Sequence, residues 1–175
     1  MAKTPELSRF QDEHDRIWEM LMSYQCALME QDLGLARGCA ESLFFEFRVH
    51  RGVEDEVLMP LFRQLGLEAE GARLELFAAE HEKLGRLALG LVEEVARLEE
   101  LENFRQRDCL EAIERAFTFK HLFDHHTKRE NAALYPALGA AVSGKQLAEV
   151  WCRMDAVEER LRKSFGPAPA PVSIP

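Results

Sequence analysis

Two pairs of residues in this chain, His50 with Glu54 and His126 with Glu130, set an imidazole and a carboxylate four positions apart. On a helix a four-residue step turns about 400° and rises about 6 Å, so the two groups lie one above the other on one face and can reach one point. The pairs are copies of each other. They stand 76 residues apart, and the same offset carries Leu58 and Pro60 onto Leu134 and Pro136, with Met59 and Tyr135 in between. Two more histidines, His14 and His81, lie in the preceding segments, so the chain reads as a two-helix unit used twice. Imidazole and carboxylate without thiolate form a ligand set for iron or manganese, and less readily for zinc.

Positioning these groups takes four amphipathic helices. Apolar residues recur at alternating three- and four-residue steps, the mark of helices that turn one stripe toward a shared core. The four stripes are Phe10, His14, Ile17, Leu21, Tyr24 and Leu28; Leu43, Phe47, His50, Glu54, Val57 and Leu61; Leu74, Phe77, His81, Leu84, Ala88 and Leu91; and Ala116, Phe119, Phe123, His126, Glu130 and Ala133. Each histidine replaces one apolar member of its stripe. A glutamate there loses its water, and glutamate is almost never wholly buried unless paired or bound to a cation.

The pattern predicts helices over residues 6–31, 35–65, 70–100 and 104–138, with stops at Asp32-Leu33-Gly34, at Gly66 and near Asn103. Pro60 and Pro136 are expected to kink or end their helices. A fifth helix over residues 143–165 shows Leu147, Val150, Trp151, Met154, Val157 and Leu161 on one face. It is expected to dock outside the bundle or against a second subunit, which would make a homodimer. The expected fold is all-α: an up-down-up-down four-helix bundle with an additional C-terminal helix.

Residues equally far from a tight turn lie at one level in an antiparallel helix pair. The midpoint between His14 and His50 is Asp32, that between His50 and His81 falls at Leu65-Gly66, and that between His81 and His126 at Asn103-Phe104. All three coincide with expected turns, so the fold should bring the four histidines to one layer. His121 and His125 fall on a mixed face with Phe117, Leu122, Lys128 and Arg129, and a contribution from His125 stays open. Glu46, Glu80 and Glu82 either accept imidazole protons or are solvated surface charge. Trp18 and Tyr24 are packing residues or electron relays.

At 175 residues the chain is the size of one domain. The expectation is a single domain over residues 1–165, with a metal-binding core at about 7–140, followed by a flexible tail at 166–175 that holds four prolines. Only 10 Gly and 7 Pro leave room for long helices. The net charge of −9 has no basic stripe to offset it and argues against nucleic acid. Met1 to Phe10 shows no apolar signal core, and no window is apolar enough to span a membrane. Cys26, Cys39, Cys109 and Cys152 are too scattered for a zinc or redox motif, so they read as reduced thiols in a cytoplasmic protein.

If Glu54 and Glu130 both bridge two metals and the histidines divide two and two, each metal has four protein ligands. About two of six octahedral positions then remain, one for a bridging oxo or hydroxo group and one open. An open position on redox-active iron is what dioxygen, nitric oxide or peroxide requires.

The constellation His14, His50-Arg-Gly-Val-Glu54, His81 and His126-Thr-Lys-Arg-Glu130, with Leu-x-Pro after each pair, resembles the hemerythrin-like, or HHE cation-binding, family over roughly residues 7–140. The resemblance implies a centre of two iron ions. The chain departs from the oxygen-carrying members, which have a second histidine one turn after the position of His81 and an aspartate five residues after that of His126; here Gly85 and Asn131 stand there. Gly85 either opens space beside the centre or lets two helices pack closely. In this respect the chain is more similar to the iron-sensing F-box and iron-centre-repair branches, without the F-box segment or the paired-cysteine domain those carry.

Three functions fit. The expected one is a di-iron binding protein that takes up oxygen, nitric oxide or iron as a sensor, scavenger or store. The alternative is a redox enzyme, turning over peroxide or nitric oxide or repairing iron-sulfur centres. A bundle that has lost its metal and serves as an interaction protein is the third.

Overall fold

A computed structural model describes residues 8–169, and among these every regular element is helical. The order is α1 (Ser8–Met29), α2 (Leu33–Val53), a π-turn (Glu54–Leu58), α3 (Met59–Gln64), α4 (Leu74–Glu99), α5 (Gln106–Arg129), a second π-turn (Glu130–Leu134), α6 (Tyr135–Ala141) and α7 (Gly144–Ser164). The long helices close a ring: α1 lies against α2, α2 against α4, α4 against α5 and α5 against α1. No described helix is long and apolar enough to cross a membrane.

The first turn differs from the sequence expectation. Gly34 is not part of the stop but sits inside the first turn of α2. The chain reverses instead at Gln31, which has φ 61°, and Asp32 caps α2 by accepting the Leu35 N–H at 2.8 Å. The segment between α3 and α4 is also longer than expected, with left-handed residues at Gly66 and Gly71. Arg105 and Asp108 form a reciprocal cap at the start of α5.

The larger correction concerns the two helices expected to reach Leu65 and Leu138 with a kink or an end at their prolines. Each is interrupted by a π-turn that begins at its glutamate, where the Met59 and Tyr135 N–H groups bond five residues back to the Glu54 and Glu130 carbonyls. The prolines explain the position. Pro60 and Pro136 bring no N–H, and their rings would press on the carbonyl four residues back in a regular helix; one extra residue per turn relieves that clash. The helices then continue past the prolines rather than ending there. The Glu56 carbonyl, to which Pro60 has no N–H to donate, is met by the Arg153 guanidinium of α7 at 3.1 Å.

Two apolar clusters fill the interior. One, around Leu21, Tyr24, Leu43, Leu84, Phe119 and Phe123, lies between the four long helices. The other, around Phe10, Val57, Phe62, Phe77, Leu134 and Leu138, includes Met154 and Leu161 of α7. Helix α7 therefore docks on its own chain, against α2 and the first π-turn. Gly52 permits this approach, since a Cβ there would stand 2.6 Å from Leu161 Cδ1. Gly166, with φ 91°, lies just past α7; residues 170–175 of the expected tail and the expected helical start at residues 6–7 lie outside the described residues.

Candidate metal centre

Between the two apolar clusters lies a polar layer. His14 from α1, His50 from α2, His81 from α4 and His126 from α5 are all buried there, together with Glu54 and Glu130, neither of which has any exposed surface. Each imidazole has an aromatic wall: Phe10 beside His50, Phe123 beside His14, Phe47 beside His81 and Phe77 beside His126, at ring-centre separations of 5.8–6.5 Å. These rings exclude water and keep the local dielectric low, which strengthens every charge interaction inside.

The inward-facing nitrogens converge in two pairs. His14 Nε2 lies 2.9 Å from His50 Nε2, and His81 Nε2 lies 3.1 Å from His126 Nε2. Carboxylate oxygens sit between the pairs. Glu130 Oε2 is 3.2 Å from His14 Nε2 and its Oε1 2.9 Å from His126 Nε2, while Glu54 Oε2 is 3.5 Å from His50 Nε2 and 3.2 Å from His81 Nε2. Two sets of four result, His14-His50-Glu54-Glu130 and His81-His126-Glu54-Glu130, each with its donor atoms within 4.8 Å of one another and each able to hold an ion.

The residues fit a pair of cations. Two nitrogens bound at right angles about 2.1 Å from one ion stand about 3 Å apart, as both pairs do. Among the described residues Glu54 Oε2 and Glu130 Oε1 are buried facing imidazole nitrogens with which they form no well-aligned hydrogen bond, a costly state for a carboxylate oxygen unless something positive meets it. The charges respond to one another even without metal. Burial alone would raise the Glu130 pKa, yet the surrounding imidazoles of His126, His14 and His81 hold it well below the ordinary carboxylate value. Burial pulls His126 down, but Glu130 and Glu80 carry it up to about 9. His81 is likewise raised, whereas His14 is lowered because burial outweighs its one close carboxylate.

Three outer nitrogens are backed by carboxylates. His50 Nδ1 lies 2.9 Å from Glu13, His81 Nδ1 2.8 Å from Asp55 and His126 Nδ1 3.0 Å from Glu80. Each of those carboxylates is held in turn by an arginine: Glu13 by Arg9, Asp55 by Arg51 and Glu80 by Arg129. Burial raises the Glu13 pKa, but the His50 and Arg9 contacts bring it down to about 2. Of the three glutamates singled out from sequence only Glu80 reaches an imidazole. Glu46 pairs with Arg162, and Glu82 is exposed beside Arg86.

The sequence did not mark Tyr135 as a site residue. Its hydroxyl donates to Glu54 Oε1 at 2.5 Å and stands 3.4 Å from both His14 Nε2 and Glu130 Oε2. Burial and the two carboxylates push the phenol pKa well above its ordinary value, so it stays a proton donor. His121 and His125 are exposed on α5, and neither joins either set. The space beside Gly85 is filled by Arg51, whose guanidinium donates to the His81 carbonyl at 2.9 Å; a Cβ on Gly85 would meet that group at 2.9 Å. Tyr24 lies inside the first apolar cluster and Trp18 at its margin.

Comparison with known proteins adds one finding. No curated protein and no solved structure matches the chain. The family model described as the hemerythrin HHE cation binding domain matches residues 6–138, a span that holds all six inward-facing side chains. On that match, with its implied capacity for a metal that is typically iron, the chain belongs to the hemerythrin HHE cation-binding family.

Proposed function

We propose that this chain holds two iron ions, with manganese or zinc less favoured, and uses them to take up dioxygen, nitric oxide or iron itself as a sensor, scavenger or store. The observation that carries this reading is the pair of wholly buried glutamates whose oxygens face four convergent imidazoles. His14 and His50 would hold one ion, His81 and His126 the other, and Glu54 and Glu130 would bridge. The reading places the long helices in up-down-up-down order within a single domain over residues 1–165. The four free thiols support a reducing, cytoplasmic location.

When bound, iron supplies reducing electrons and a Lewis-acidic position for a small ligand. The protein supplies the rest. Glu54 and Glu130 balance the added positive charge, and the four aromatic walls keep bulk water from the ligand. Glu13, Asp55 and Glu80 fix the tautomers of three imidazoles so that each Nε2 lone pair points inward. Tyr135 holds a proton at the centre of the group, within reach of Glu54 and Glu130.

That phenolic proton is also the observation that favours the alternative, a redox enzyme acting on peroxide, nitric oxide or damaged iron-sulfur centres. Elemental analysis of protein from iron-replete cells tests the shared premise, and about two irons per chain is expected. A reduced protein whose spectrum ignores both oxygen and nitric oxide would end the binding reading. Sustained turnover with an electron donor, abolished in Glu54→Ala, would select the enzyme; reaction limited to one turnover would select the binder.

A further inference from the structure

The internal repeat of the centre is broken at one position. An offset of 67 relates Glu13 and His14 to Glu80 and His81, and an offset of 76 relates His50, Glu54 and Asp55 to His126, Glu130 and Asn131. The outer contacts follow these offsets: Glu13 backs His50 as Glu80 backs His126. Asp55 backs His81, so the residue placed to back His14 is Asn131. Asn131 is exposed, and His14 Nδ1 is buried with no partner among the described residues.

The consequence is chemical. A neutral imidazole that binds a cation through Nε2 carries its proton on Nδ1, and that proton needs an acceptor. Three histidines have one, whereas at His14 the same tautomer buries an unsatisfied donor. The carboxylates lean the same way. Glu54 Oε2 lies closer to His81 Nε2 than to His50 Nε2, 3.2 against 3.5 Å, and Glu130 closer to His126 Nε2 than to His14 Nε2, 2.9 against 3.2 Å. Glu54 Oε1, by contrast, is engaged by Tyr135.

Building on the two-metal reading above, we propose that the halves of the centre are unequal: the first cation lodges between His81 and His126, the second is held more weakly between His14 and His50, and Asn131 sets the difference. The second position is the exchangeable one, beside the Tyr135 hydroxyl.

Repulsion between neighbouring dications separates two binding steps even in a symmetric centre, so a substitution at the broken position is the informative test. Metal-free protein and Asn131→Asp are titrated anaerobically with iron(II), and with cobalt(II) as an optical and magnetic-resonance probe. Asn131→Asp is expected to tighten the second step about tenfold or more, the scale of an outer carboxylate on a metal-bound histidine, and to leave the first where it was. With one equivalent of cobalt(II), the shifted imidazole N–H signals should respond to Glu80→Gln and not to Glu13→Gln. Tightening of the first step, no change in either step, or early signals that follow Glu13→Gln would each overturn the inference. A chain that takes up neither iron(II) nor cobalt(II) would fail the earlier reading of the centre, and this one with it.

Discussion

Removing the Tyr135 hydroxyl tests how tightly the polar layer is balanced. Tyr135→Phe leaves Glu54 Oε1 buried without its donor, which should destabilise the metal-free chain by roughly 1–3 kcal/mol. The denaturant midpoint reads this, and an unchanged midpoint would mean that the oxygen finds another partner. A second expectation concerns pH. The His126 pKa is raised from 6.5 to about 9 in the metal-free chain, so its ion pair stabilises the fold fully below the ordinary histidine value and is lost as pH rises through 9. A metal must displace that proton, so uptake at pH 7 should release protons and tighten as pH rises toward 9. Calorimetry in two buffers of different ionisation enthalpy measures the release; identical heats in both would contradict it. The six convergent residues were legible in the sequence because each imidazole or carboxylate interrupts an apolar stripe. Glu13, Asp55 and Glu80 were not distinguishable from surface charge, since which imidazole each one meets depends on a neighbouring helix.

Among the elements, the π-turns and α7 carry the most consequence. In a regular helix Tyr135 would lie about 500° past Glu130 and off the inward face; the five-residue turn places it over that glutamate instead. Deleting exposed Ala132 should restore regular helix, with Tyr135 then four residues past Glu130 and still on the inward face, but with the Pro136 ring pressed on the carbonyl four residues back, at a cost of about 3 kcal/mol or more. The thermal midpoint should then fall further than it does in Tyr135→Phe, and a deletion as stable as its parent would refute the assignment. The docking of α7 rests on Gly52. Gly52→Phe overpacks the contact with Leu161, at a cost of about 1–3 kcal/mol, and should speed amide exchange over residues 144–164 while leaving residues 106–129 protected. The apolar face of α7 was readable from its periodicity; its landing place beside a glycine of α2 was not.

For the molecule as a whole, a centre whose ligands come from all four long helices ties metal to folding. Cations that bind only the folded chain stabilise it by about 2.7 kcal/mol per site at a hundredfold excess over the dissociation constant. The melting temperature should therefore rise with iron(II) or cobalt(II) concentration and drop on chelation, and a midpoint indifferent to metal would separate the centre from the fold. Within the layer the acidic side chains of Glu54 and Glu130 would repel one another when ionised, and imidazoles lie between them. Positive ions relieve that repulsion, so metal removal should loosen α2 and α5 together.

The sequence by itself determined the helical class, the repeat of two helices and the level at which His14, His50, His81 and His126 meet. Those features depend on periodicity and on distance from the turns, both local properties of the chain. Only the tertiary structure decided that Tyr135 enters the centre, that Arg51 fills the space beside Gly85, and that, among the described residues, the outer nitrogen of His14 lacks the partner that His50, His81 and His126 have. Such outcomes depend on which side chain a neighbouring helix presents at a given height, and no spacing within one helix encodes that.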